Sequence, residues 1–156
     1  MKVIFLDFDG VMDTAYYSHV LAKDGKPDND EYGTIFDPNS VRNLKSIIDQ
    51  TGADIVVTSS WKYLMSYKDI LKMWKARQLP GFVTDVTPNI QGSRYRGNEI
   101  DAWIRESKSD CKYVILDDLG AENFNRHQLP QLLIIDPFYG INEDIAERAI
   151  ALLNSK

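Results

Sequence analysis

An apolar run, Val3-Ile4-Phe5-Leu6, ends in two aspartates one residue apart, Asp7 and Asp9, followed by Gly10. Such a run reads as a buried strand, and carboxylates at its end need an electrostatic partner. In a strand, residues i and i+2 point the same way, so Asp7 and Asp9 converge if the strand geometry persists. Converging like charges repel unless a cation or a shared proton relieves them. Gly10 lets the backbone turn sharply away. Two carboxylates, a divalent metal and a tight turn suit phosphoryl transfer.

Two further runs share this design. Ile115-Leu116-Asp117-Asp118 ends in carboxylates, and Asp54-Ile55-Val56-Val57-Thr58-Ser59-Ser60-Trp61 ends in hydroxyls. Buried strands with polar groups at their carboxyl ends fit one crevice, the usual ligand position in open α/β sheets.

The strands are expected at Lys2 to Asp7, Asp54 to Thr58, Phe82 to Val86, Tyr113 to Leu116 and Leu132 to Ile135. Asp37 as N-cap and Pro38 at the first helical position start a helix that Gly52 ends. A second helix is expected over residues 63–78, with Leu64, Ile70, Leu71 and Trp74 apolar, before Pro80-Gly81. A third follows Gly97 with Ile100, Trp103 and Ile104 on one face, and Asn142 caps the last. Alternating strands and helices predict a parallel sheet covered on both faces, with the first strand central. Residues 12–36 show no sustained period and read as a long loop or flap, a length associated with function.

The chain has 156 residues, 44% apolar and 26% charged, which reads as one domain spanning 1–156. A net charge of −5 argues against broad nonspecific nucleic-acid binding. The single cysteine, Cys111, excludes an intramolecular disulfide and a multi-cysteine metal site. No stretch approaches membrane-spanning length, and the first strand starts too early for a signal peptide, so the cytoplasm is expected.

Phe5-Leu6-Asp7-Phe8-Asp9-Gly10-Val11 resembles the first motif of the haloacid dehalogenase (HAD) superfamily of phosphohydrolases. Thr58-Ser59-Ser60-Trp61 resembles its second motif, and Asp117-Asp118 its acidic fourth. Phe36-Asp37-Pro38, Thr51-Gly52-Ala53, Ser59-Ser60-Trp61-Lys62 and Arg96-Gly97-Asn98-Glu99-Ile100 narrow the likeness. Together they resemble small HAD-like domains related to those of bacterial RNA-repair proteins.

The resemblance implies a three-layer Rossmann-like core with a five-stranded parallel sheet in the order 5-4-1-2-3. It also implies an aspartyl-phosphate mechanism. Asp7 would attack phosphorus, while Asp9 would protonate the leaving oxygen and then activate water. Mg²⁺ would be held by Asp7, the backbone carbonyl of Asp9, and Asp117 or Asp118. Ser59 is the preferred phosphate-binding hydroxyl if Trp61 sets the register, and Thr58 takes that place if the apolar run does. Ser60 reads as a helix cap that also lies on the substrate side, as do Gly10 and Lys62. The third motif usually supplies a lysine. Here Arg96 is preferred for that role, with Arg94 and Lys62 as alternates.

HAD enzymes often carry a cap, and residues 12–36 are too few for an independently folded one. A capless or minimally capped phosphomonoesterase is therefore expected, acting on a small molecule or a nucleic-acid end without an obligate protein partner. The rivals are a nucleic-acid end-processing phosphatase and a non-catalytic phosphate-binding or interaction domain. Trp61, Trp74 and Trp103 read as packing residues, and Asp13 as turn chemistry.

Overall fold

Five strands form one parallel sheet in the computed structural model, which describes residues 1–156. The strands are β1 (Lys2–Leu6), β2 (Asn29–Asp30), β3 (Gly33–Thr34), β4 (Asp54–Val57), β5 (Val83–Val86), β6 (Lys112–Asp117) and β7 (Leu132–Ile134). The helices are α1 (Ala15–Lys23), α2 (Pro38–Thr51), α3 (Tyr67–Ala76), α4 (Arg96–Ser107) and α5 (Glu143–Asn154). The sheet runs β5-β4-β1-β6-β7, while β2 and β3 pair as a separate antiparallel hairpin. The numerals differ from 5-4-1-2-3 because the hairpin takes two labels; the spatial order of the five sheet strands is the same, read from the other edge.

Alternation along the strands divides the core. Ile4 and Leu6 of β1, Ile55 and Val57 of β4, and Val114 and Leu116 of β6 face α2, α3 and α5. Val3, Phe5, Val56 and Ile115 face the other way, onto Ile100 and Trp103 of α4. Most of these side chains are fully buried, and each contributes about 1.5–3 kcal/mol relative to exposure. The central place of β1 follows, because both of its faces must be apolar.

Strand ends differ from the expected ones by a residue. β1 and β4 stop at Leu6 and Val57, β5 starts at Val83, β6 spans Lys112–Asp117, and β7 stops at Ile134. The helix expected over 63–78 is two elements. A 3₁₀ turn covers Ser60–Tyr63, and α3 restarts at Tyr67 behind a capping box of Ser66 and Asp69. Leu64, expected on the apolar face, sits between them and is 94% exposed. Residues 12–36 are also more ordered than a loop. Thr14 caps α1 by accepting the Tyr17 N–H, and the hairpin follows. The periodicity was weak because α1 buries only Leu21, leaving no apolar stripe to detect.

Candidate active site

The register of β1 and its neighbours sets the site. Leu6 pairs with Val57 on one side and Leu116 on the other. One step further along, the chain reaches Asp7, Thr58 and Asp117. By alternation these three side chains lie on the α4 side, with Phe5, Val56 and Ile115. Phe8 points oppositely, into the core.

Arg96, the first residue of α4, supplies the facing charge. Its Nη1 donates to Asp117 Oδ2 at 2.5 Å and lies 3.5 Å from Asp7 Oδ1. The first turn of α4 is clamped onto the loop after β6. Gln128 Nε2 donates to the Gly97 carbonyl at 2.8 Å, and a Cβ at Gly97 would stand 2.8 Å from the Asn125 nitrogen. Burial raises the Arg96 requirement for partners, and Asp117, Asp7 and Glu99 outweigh the desolvation, so its pKa rises.

Carboxylate oxygens of Asp7, Asp117 and Asp118 lie within 4.8 Å of one another. Burial first, and then the Asp117 charge, push the Asp7 carboxyl up to about 9, with Arg96 opposing. Burial also raises Asp117, again against Arg96. The Phe8 N–H donates to Asp7 Oδ1 at 2.9 Å, and the Leu119 N–H to Asp117 Oδ1 at 3.0 Å. Gly10 admits Asp118 to the cluster. Its φ is +78°, and a Cβ there would collide with the Asp118 carboxylate and stand 2.8 Å from Pro137.

These donors fit a hard divalent cation. All are oxygens, one cationic side chain faces three carboxylates, and the Asp117 and Asp118 charges add to burial in raising the Asp7 pKa. Asp7, Asp117 and Asp118 are the residues that could hold a metal ion with side chains; the Asp9 side chain is not in the cluster.

Strand geometry does not persist to Asp9. The Phe8 carbonyl accepts N–H groups from Val11, Met12 and Asp13, forming a tight turn. Asp9 is exposed there, and its Oδ1 accepts the Trp61 indole N–H at 3.0 Å. Trp61 thus does more than pack, although its ring lies 5.2 Å from Phe8 and 5.8 Å from Phe36. Asp13 is also drawn in: its Oδ1 accepts the Gly10 N–H at 3.1 Å, and its buried Oδ2 has no partner. Burial and the neighbouring Asp9 carboxylate raise its pKa to about 8. An Asp-x-x-x-Asp spacing across a glycine turn was the available signal for Asp13; Trp61 stood within the second-motif likeness, but nothing there marked its indole N–H as a partner of Asp9.

The structure separates the candidate hydroxyls and cations. Thr58 is fully buried and its Oγ1 has no hydrogen-bond partner. Ser59 Oγ instead caps the 3₁₀ turn, accepting the Trp61 backbone N–H at 3.2 Å, and Ser60 is exposed. Capping therefore falls to Ser59, not Ser60. Lys62 is buried against Glu99, with Nζ 3.1 Å from Oε2, and also donates to the carbonyls of Thr87 and Pro88. Burial lowers its pKa, and Glu99 opposes that shift. Glu99 further accepts the Tyr63 hydroxyl. Arg94 lies over the Tyr63 ring at 4.2 Å. Of the three expected cations, Arg96 is the one paired with the carboxylate cluster.

No helix is long and apolar enough to cross a membrane. Comparison with curated proteins and with solved structures finds no match. A family model described as the HAD domain in Swiss Army Knife RNA repair proteins matches residues 3–146, from the second residue of β1 through β7, and includes all of the residues just placed around Asp7. The chain belongs to this family of HAD domains.

Proposed function

We propose that the protein is a Mg²⁺-dependent phosphomonoester hydrolase working through an aspartyl-phosphate on Asp7. The observation that carries this reading is the burial of Asp7 between a carboxylate pair and Arg96, at the carboxyl edge of the sheet. Bound Mg²⁺ supplies positive charge that keeps Asp7 ionised beside its acidic neighbours and offsets the charge of an incoming phosphate.

Asp7 attacks phosphorus, and the bond from phosphorus to the leaving oxygen breaks. Asp9 donates a proton to that oxygen as it departs. Water then attacks the phosphorus of the aspartyl-phosphate, and Asp9 takes its proton. Inorganic phosphate leaves, and the Asp7 carboxylate is restored. Arg96 balances charge on the phosphoryl oxygens, and the free Thr58 hydroxyl donates to one of them. Thr58 suits this role better than Ser59, whose oxygen already serves the 3₁₀ turn. Trp61 orients Asp9 through its indole N–H.

Residues 12–36, with α1 and the hairpin, act as a minimal cap. The family description favours a second, narrower reading, in which the ester is a phosphorylated nucleic-acid end. A phosphate-release screen with Mg²⁺ over nucleotides, sugar phosphates and 5′- or 3′-phosphorylated oligonucleotides tests both. Release that Asp7→Asn abolishes supports the enzyme; no release from any ester points to a phosphate-binding domain.

A further inference from the structure

An open groove of about 460 Å³ has Asp9 among its lining residues. Such a volume is in the range of small-ligand pockets. One wall is the hairpin, with Asn29, Tyr32 and Thr34; the other is the chain from Trp61 through Leu64 to Met65. Asp9 is the one charged residue among those lining it.

The hairpin wall is anchored. Arg77, at the end of α3, donates to both carboxylate oxygens of Asp30 at 2.9 and 2.7 Å, and to the Gly33 carbonyl at 3.1 Å. Its guanidinium also stacks over Phe36 at 4.8 Å. Gly33 lies so close to Trp61 that a Cβ there would be 3.1 Å from the indole Cη2. Opposite, Leu64 is 94% exposed, an apolar side chain held in water beside the groove.

Trp61 connects this groove to the chemistry, because it forms part of the wall and bonds Asp9. Asp9 protonates the leaving oxygen in the mechanism above, so the group attached to that oxygen lies on the Asp9 side. A second phosphate would find no cation there. A polyol would leave Tyr32, Trp61, Leu64 and Met65 without an apolar partner. A flat, uncharged heterocycle meets Tyr32, Trp61 and Leu64, with Asn29 and Thr34 available to its polar edge.

The geometry points to this groove as a leaving-group subsite that receives the terminal nucleoside of a nucleotide or nucleic-acid end. The inference rests on the phosphomonoesterase reading and adds to it the place and the side chains that read the substrate.

The test compares kcat/KM for ribose 5-phosphate, a nucleoside 5′-monophosphate and a 5′-phosphorylated oligoribonucleotide, with a phosphotyrosine peptide as the competing aromatic ester. The base-bearing substrates are expected to exceed ribose phosphate on the order of tenfold to a hundredfold, as stacking on aromatic side chains does. Leu64→Ala and Tyr32→Leu should shrink that ratio. Similar values for nucleotide and oligonucleotide identify the single nucleoside as the recognised unit, and a higher value for the oligonucleotide a nucleic-acid end; both support the subsite. Equal rates with and without a base, a preference for the phosphotyrosine peptide, or variants that leave the ratio intact would overturn it. If no ester is hydrolysed, the phosphomonoesterase reading fails by itself. Calorimetry with nucleoside monophosphate and ribose phosphate then decides the subsite. Tighter binding of the nucleotide that Leu64→Ala weakens supports it, and equal binding overturns it.

Discussion

Arg96 donates to Asp117 at 2.5 Å while the same nitrogen stands 3.5 Å from Asp7, so one guanidinium leans toward the fourth-motif carboxylate and away from the nucleophile candidate. Arg96 is then both a structural partner and a charge available to a phosphate. Arg96→Met should lower kcat/KM by roughly 10²–10³-fold. It should also destabilise the protein by about 3–5 kcal/mol, because it strands buried Asp117 without its partner. Steady-state kinetics and denaturant unfolding separate the two effects. Added Mg²⁺ should restore part of the stability and little of the rate.

The raised Asp7 pKa makes the metal-free fold pH-dependent. Folded Asp7 holds its proton up to about 9, whereas its ordinary value is 3.8. Between those values the native state binds more protons than the unfolded state, so this group's contribution falls as pH rises. The contribution is fully present below 3.8 and lost through about 9. Asp7→Asn should therefore raise the melting temperature of the metal-free protein at pH 8 more than at pH 5, while abolishing turnover. Mg²⁺ binding should release protons and tighten as pH rises, seen by calorimetry in buffers of different ionisation enthalpy. A variant that melts like the wild type throughout would contradict this assignment.

Thr58→Val and Ser59→Ala should diverge. Thr58 Oγ1 is buried and unpartnered, so its replacement by the near-isosteric valine should hold or raise stability while lowering kcat/KM. Ser59→Ala removes a cap, a loss of about 0.5–2 kcal/mol, and should leave most of the activity. The reverse pattern would return the phosphate-binding role to Ser59.

Asp9→Asn should cost on the order of 10²–10⁴-fold with a poor leaving group, and less in the first step with a good one. Burst kinetics would then show the aspartyl-phosphate accumulating, because the base for its hydrolysis is missing. Near-normal rates in both steps with a poor leaving group would place Asp9 elsewhere in the reaction.

Lys62→Met should be costly for a structural reason. It leaves Glu99 buried without its ammonium, a loss of about 3–5 kcal/mol, which the additional change Glu99→Leu should largely recover. Unfolding of the single and double variants checks this. Unchanged stability in Lys62→Met would return Lys62 to consideration as a phosphate ligand.

The sheet was legible because β1, β4 and β6 are uninterrupted apolar runs, the pattern of strands buried on both faces. Asp7, Asp117 and Asp118 were legible as carboxylates terminating two of them, and the structure brings all three together. The choice between Thr58 and Ser59 was not, because it depends on which residue of β4 lies opposite Leu6, and periodicity within one strand cannot report a register between two. Trp61 was hidden for another reason. Its ring packs on Phe8 and Phe36 as a core residue would, and only the position of Asp9 reveals its N–H as a polar contact. The α3 start was overrun because Leu64 is apolar, although Ser66 and Asp69 carried the capping pattern.

The pairing of Leu6 with both Val57 and Leu116 has a consequence for how this chain can change over time. Asp7, Thr58 and Asp117 meet because three separate strands reach the same height together. Loss of one residue within β6 would bring a different side chain to that height, or turn the carboxylate toward the opposite helical layer. Point substitutions in these strands exchange one apolar group for another, whereas a single-codon deletion dismantles the cluster without altering any of its members. Viable length variation should accordingly collect in the connections, and the strands should behave as fixed-length rulers.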